Sequence, residues 1–173
     1  MMTRSLWDEL SVKWPRGYWD DWLREPPQRK GRHTIRPEVC RSYHFGAHGV
    51  SQGEFQDGFL NDIKLADKYE SFTAMDLSYL EKDRWDKEYL ASVTRATTVT
   101  FESFSRHVLS GNEVKNEVKI FYNGFEGGYT SYVNVAQWAG VMDNIKANVP
   151  RTAYKGIVTS YRDGVKLHIV PEA

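Results

Sequence analysis

The sequence predicts an α+β fold, and three observations carry that prediction. GIVTSY at 156–161 and VKLHIV at 165–170 flank Arg162-Asp163-Gly164, and an Asp-Gly pair between alternating apolar runs favours the positive dihedrals of a two-residue type I′ hairpin turn. Val118, Ile120 and Tyr122 alternate along 116–122, the period of a half-buried strand. Helical stripes of apolar residues precede each of these, at 78–94 ahead of the strand and at 131–146 ahead of the hairpin. Together they predict a small α+β unit over 78–173 with an antiparallel sheet and a C-terminal hairpin.

Taken in order, Leu6, Trp7, Leu10 and Trp14 fall at helical spacing and predict an amphipathic helix over 4–14, with Ser5 as its N-cap and Pro15 as its end. YWDDWLR at 18–24 predicts a second short helix, stopped by Pro26-Pro27 because proline has no N–H to give a helix. Residues 42–59 hold Gly46, Gly49, Gly53 and Gly58 among polar residues, without a sustained period. This is a loop longer than the 12–15 residues at which loops are usually functional or disordered. Phe45, Phe55 and Phe59 argue against plain disorder.

Ser78-Tyr79-Leu80-Glu81 has the S-x-x-E form of a capping box, and predicts a helix running to about residue 94. Val135, Trp138, Ala139, Met142 and Ile145 predict a helix over 131–146. Asn123-Gly124-Phe125-Glu126-Gly127-Gly128 follows a strand but lacks the Lys and Ser/Thr of a phosphate loop, and is expected to be a turn.

Composition narrows the function. The chain has 173 residues, 23 Lys+Arg against 23 Asp+Glu, and one cysteine. That length suffices for a substantial core. A balanced charge gives no footing for a nucleic-acid partner, and the nearest basic cluster is RKGRHTIR at 29–36. One cysteine, Cys40, forms no internal disulfide and no thiolate zinc cage; its expected role is structural. No apolar run approaches the ~20 residues of a membrane helix, and the first residues lack the apolar stretch of a signal peptide. There is no D-x-D or E-D-D triplet and no G-x-S-x-G elbow. His44 and His48 are four apart, a metal-ligand spacing on a helix, but the intervening Gly46 makes helix a poor expectation there.

Trp19-Asp20-Asp21-Trp22 is the run with most chemical content. A carboxylate held between aromatics in a partly dry site is a candidate general base. Neighbouring helical residues point about 100° apart, so only one of the two aspartates can face a given pocket. The other reading is that one Asp starts the helix, where the dipole favours it, and both indoles belong to the core. The 46–58 glycines and Ser51 allow a similar pair of readings, an anion-approaching loop or an ordinary connection.

These residues also carry a resemblance. KWPRGYWDDWLREPPQRKGR at 13–32, IRPEVCRSYHFG at 35–46 and HGVSQGEF at 48–55 resemble the C-terminal part of the N-acetylglucosaminyltransferase I family. IKLAD at 63–67, MDLSYL at 75–80, GVMDNIK at 140–146 and VPRTAYKGIV at 149–158 continue it in family order. The resemblance implies an inverting glycosyltransferase that moves N-acetylglucosamine from UDP-N-acetylglucosamine to the 2-hydroxyl of an alpha-1,3-linked mannose on N-glycans, assisted by manganese, on the lumenal side of the Golgi membrane.

By resemblance Asp20 is the catalytic base, Trp19 is a wall of the donor-sugar pocket, and Gly49, Val50 and Ser51 are the tip of a loop over the donor, with Ser51 at the diphosphate. The manganese ligands, the uridine site and the membrane anchor belong to a family N-terminal half that this sequence does not match, so no metal ligand is assigned here. Residues 1–46 are then expected to be the edge of an α/β nucleotide-sugar transferase domain, 47–77 a donor lid and linker, and 78–173 a small second domain. The isolated chain is expected to turn over nothing detectable. A noncatalytic glycan-binding or scaffolding module, with Tyr18 and Trp22 stacking on sugars, is the alternative.

Overall fold

A computed structural model describes residues 2–44, 48–49, 52–104, 117–162 and 164–172. The first helix, α1, spans Arg4–Ser11. Its N-cap is Thr3 rather than Ser5: the Thr3 side chain accepts from the Leu6 amide at 3.3 Å, so the hydroxyl one turn before the apolar stripe takes the free N–H. The helix closes at Ser11, ahead of Pro15. Helix α2 is Trp19–Arg24 as expected, and α3 follows at once over Pro26–Arg29. Pro26 therefore starts a helix as well as stopping one, since at the first helical position its missing N–H costs nothing.

The segment 52–60 ends in a wide helical turn, Gln56–Leu60. A single β-bridge pairs Cys40 with Leu65, and the Ala66 amide donates to the Cys40 carbonyl at 2.8 Å, so Cys40 serves as backbone scaffold. Helix α4 spans Lys82–Arg95. The expected capping box does not form: Ser78–Leu80 is a 3-10 turn, and Glu81 takes the N-cap position without a side-chain cap bond. Ser78 is engaged elsewhere, its amide donating to Asp76 at 2.9 Å and its hydroxyl accepting from Arg84 at 2.8 Å.

Six strands follow among the described residues: β1 Thr97–Thr98, β2 Glu117–Tyr122, β3 Ile145–Lys146, β4 Val149–Pro150, β5 Val158–Arg162 and β6 Val165–Pro171. The main sheet has the order β1-β2-β6-β5, and it is mixed. Strands β5 and β6 form the expected antiparallel hairpin, with Arg162 opposite Val165 and Gly164 at φ 81°; Asp163 lies outside the described residues. Strand β2 is parallel to both β1 and β6, which corrects the expectation of an antiparallel sheet. Parallel neighbours need a crossover of a dozen or more residues, and the stretch from β2 to β6 provides it. Strands β3 and β4 form a separate antiparallel pair.

The crossover carries helix α5, Tyr132–Ala139. Ser131 caps it, and it is shorter than the 131–146 expected. Gly140 ends it in the left-handed conformation, φ 69°, the common helix stop, and Ile145 is in a strand instead. The turn expected at 123–128 is present, with Gly124 and Gly127 at positive φ.

Strand β6 explains the layering. Val165, Leu167 and Ile169 face α5, where they pack with Val118, Ile120, Tyr132, Val135 and Ala136. His168, also fully buried, faces α4, where Tyr89 and Val93 pack with Ile157. A central strand covered on both faces is what its near-continuous apolar run VKLHIV requires. Each fully buried side chain of this size contributes about 1.5–3 kcal/mol.

Candidate active site

Helix α2 is fixed to the molecule by aromatics and ions. Trp14 sits at the centre of an indole cluster, 5.4 Å from Trp7, 6.1 Å from Trp19 and 5.6 Å from Trp22, ring centre to ring centre. Trp19 nevertheless remains 54% exposed, so it is not the core residue that one reading expected. Tyr18, at the N-cap, is in the left-handed conformation with φ 51° and is 71% exposed. A bulky residue at positive φ is strained, and such strain gathers at functional positions.

The two aspartates divide as helix geometry requires. Asp21 is drawn to Arg24 at 3.8 Å and Lys146 at 3.6 Å, an attachment of α2 to β3. Arg24 adds a hydrogen bond to the Asn144 side chain at 3.1 Å. Asp20 is exposed and stands on the rim of a cleft of about 420 Å³ shared with Trp19, Arg24, Arg29, Arg36 and Arg151. The partly dry site expected between aromatics is therefore an open, cationic one.

The base of that cleft is built from the 29–36 run. Arg32 leaves the run's surface to grip Glu9 through both oxygens at 2.7 and 2.9 Å, and donates to the Gln28 carbonyl at 2.6 Å. Lys30 adds a third contact to Glu9 at 3.0 Å. Hydrogen bonds from Arg32 and Lys30 hold the Glu9 carboxyl down at about 2. This strap ties α1 to the segment after α3. On the far side His33 packs its ring 4.4 Å from Tyr154, whose hydroxyl donates to Asp86. Burial and that carboxylate push the Tyr154 phenol up to about 12, so it is a donor throughout the neutral range. Asp86 is in turn held well below the usual carboxylate range by Lys82, Tyr154 and Lys155.

Arg151 is a cleft residue that the sequence did not single out. It follows β4, its amide donates to the Asn144 carbonyl at 2.9 Å, and its guanidinium carbon is 5.9 Å from the centre of the Phe55 ring. Burial and neighbouring Arg24 lower its pKa, opposed by Asp20 and Asp21. The only advance signal was its place inside the VPRTAYKGIV run.

The expected loop residues fare unequally. Gly49 is exposed and accepts from the Gln52 amide at 2.9 Å in a turn, but it does not line the cleft. Val50 and Ser51 lie outside the described residues. His44 bonds Gln56 at 3.3 Å. Among the described residues no group of three or more His, Cys, Asp or Glu side chains is gathered to hold a metal. Asp20 and Asp21 stand among arginines and a lysine, a field that repels a divalent cation. The residues described do not fit manganese.

An Arabidopsis thaliana protein named alpha-1,3-mannosyl-glycoprotein 2-beta-N-acetylglucosaminyltransferase is 42% identical over 158 residues, which cover 91% of this chain and 34% of the relative. The chain thus spans about a third of that relative's length. Residues 1–173 match the GNT-I family, and with a match of that extent the chain belongs to the GNT-I family.

Proposed function

We propose that this chain supplies the catalytic base and acceptor side of an inverting glycosyltransferase. In this reading N-acetylglucosamine passes from UDP-N-acetylglucosamine to the 2-hydroxyl of an alpha-1,3-linked mannose on N-glycans, in the Golgi lumen. The observation that carries it is the placement of Asp20, the exposed carboxylate on a cleft whose other charged walls are cationic. The relative's name supplies the reaction class.

Asp20 takes the proton of the acceptor hydroxyl as that oxygen attacks the anomeric carbon from the face opposite the leaving nucleotide. Trp19 offers an exposed indole face to a sugar ring, and the cleft arginines offer fixed N–H forks to sugar hydroxyls. Asp21 holds α2 through Lys146 and Arg24. Residues 1–46 serve as an edge of the transferase domain, and Gly49, Val50 and Ser51 belong to a loop that covers the donor. Donor nucleotide and manganese are held by parts of the enzyme other than these residues, so the isolated chain is expected to be inactive.

The test replaces the matching segment of the Arabidopsis relative with this chain and compares it with Asp20→Asn. General-base catalysis contributes about 10²–10⁴-fold, so kcat should fall by that amount with UDP binding retained. Transfer at an undiminished rate overturns the role of Asp20, and product formation by the isolated chain overturns the division of labour. A noncatalytic glycan-binding reading is favoured by the exposure of Tyr18 beside Trp19; it predicts mannose-glycan binding by a chimera that transfers nothing.

A further inference from the structure

Asp20 and the 52–60 segment come from different parts of the chain, and Arg151 bears on both. Its guanidinium lies over Phe55, and its side chain lines the cleft with Trp19 and Asp20. Its amide is bonded to Asn144, whose side chain accepts from Arg24 of α2. Arg151 is half-buried, so a long charged side chain has given up solvent to occupy this place. Arginine does so where its flat guanidinium can stack on a ring and donate from its edge.

We propose that Arg151 is a positioning residue, which docks the 52–60 segment through Phe55 against the wall that carries Asp20 and so fixes the spacing between that segment and the base. This rests on the reading of Asp20 given above. The charged groups that line the cleft with Asp20 and Arg151 are Arg24 on α2, Arg29, Arg32 and Arg36 from the run after α2, and Lys146 on β3. Any of these can supply positive charge, but among the described residues only Arg151 also bears on the Phe55 ring. The role is therefore geometric, and Arg151→Lys should fail to replace it, because an ammonium keeps the charge and loses the flat stacking face.

A misplacement of about 1 Å at a reacting centre costs on the order of 10²-fold. In the chimera, Arg151→Lys and Phe55→Ala are each expected to lower kcat by about 10- to 100-fold. Acceptor KM should change little, and the double variant should be no slower than the worse single one. Unchanged kcat, multiplicative losses, or a rise in KM at constant kcat would each overturn the proposal.

The contact itself is read in the 173-residue chain, by the NMR shift of the Arg151 Nε–H. A ring-shifted line that moves on Phe55→Leu supports the docking; a line that Phe55→Leu leaves in place overturns it, whether or not the chimera is active. Asp20→Asn separates the two readings: full transfer in that variant sinks the base assignment. A dead Asp20→Asn with no Phe55–Arg151 coupling sinks only the positioning role.

Discussion

The stretch from 2 to 44 and the stretch from 82 to 172 are held together by different forces. Among the described residues before Tyr89, only Leu10 and Gln28 are buried. That first region is fastened by an indole cluster, the Glu9 strap and the pairs from Asp21 and Arg24. In the later region α4 and α5 sandwich a sheet whose central strand is fully buried at Leu167, His168 and Ile169. The polar atoms there are satisfied: His168 bonds Glu117 and Thr159, each at 2.8 Å, and Thr159 bonds Tyr89 at 2.9 Å. Since a carboxylate only accepts, the ring donates to Glu117 from Nε2 and accepts the Thr159 hydroxyl at Nδ1. The lesson is a division between an open region fastened by indoles and ions, which carries the candidate site, and a scaffold built on a buried core.

The largest expected effect lies in the scaffold. Leu167→Ala empties a fully buried position on β6 facing α5, and should cost about 2–5 kcal/mol in urea unfolding. A loss below 1 kcal/mol would erase the contrast between the regions.

Acid should act on the scaffold next. Burial works to raise the Glu117 carboxyl, yet bonds from Ser92, His168 and Lys166 bring it down from 4.5 to about 2. Burial also lowers the His168 imidazole, against its bond to Glu117. In both cases the unfolded chain binds more protons over the window, so stability rises with pH there. The contribution of His168 should fade as pH falls below about 6.5, and that of Glu117 between about 4.5 and 2. Unfolding midpoints from pH 8 to 3 measure this, and His168→Phe should flatten the upper part of the curve. A curve that is unchanged in that variant would remove His168 as its source.

The smallest global effect belongs to the strap. Glu9→Gln should leave the unfolding midpoint nearly unchanged while proteolysis within the first 35 residues speeds up. Raising salt from 0.1 to 1 M, which shortens screening from about 10 to 3 Å, should reproduce that loosening in the unsubstituted chain. Equal protection of both regions at 1 M salt would show that the strap adds nothing.

How much was legible follows from the range of each interaction. The β5–β6 hairpin was readable because Asp-Gly and the flanking alternation are local. The same alternation at Val118, Ile120 and Tyr122 specifies one buried face but says nothing of strand direction, so the parallel pairing of β2 with β6 was missed. The capping box at Ser78–Glu81 had the right residues, but Asp76 and Arg84 took Ser78 away. Gly140 is a stop signal inside an apolar stripe, and its left-handed backbone ends the helix although the stripe continues.

Around the candidate site, the identity of Asp20 and Trp19 was legible in the WDDW run and its resemblance. Its surroundings were not, because Arg151, Asn144 and Lys146 arrive from the far end of the chain. By itself, then, the sequence determined the family, the short helices, the hairpin and the residue that offers a carboxylate. Only the tertiary structure decided that Asp20 faces an open cationic cleft, that Asp21 is tied to Lys146, and that Arg151 meets Phe55. The reason is physical: turn chemistry and burial period are written over a few neighbouring residues, whereas a cleft's electric field sums charges that only chain folding brings within range.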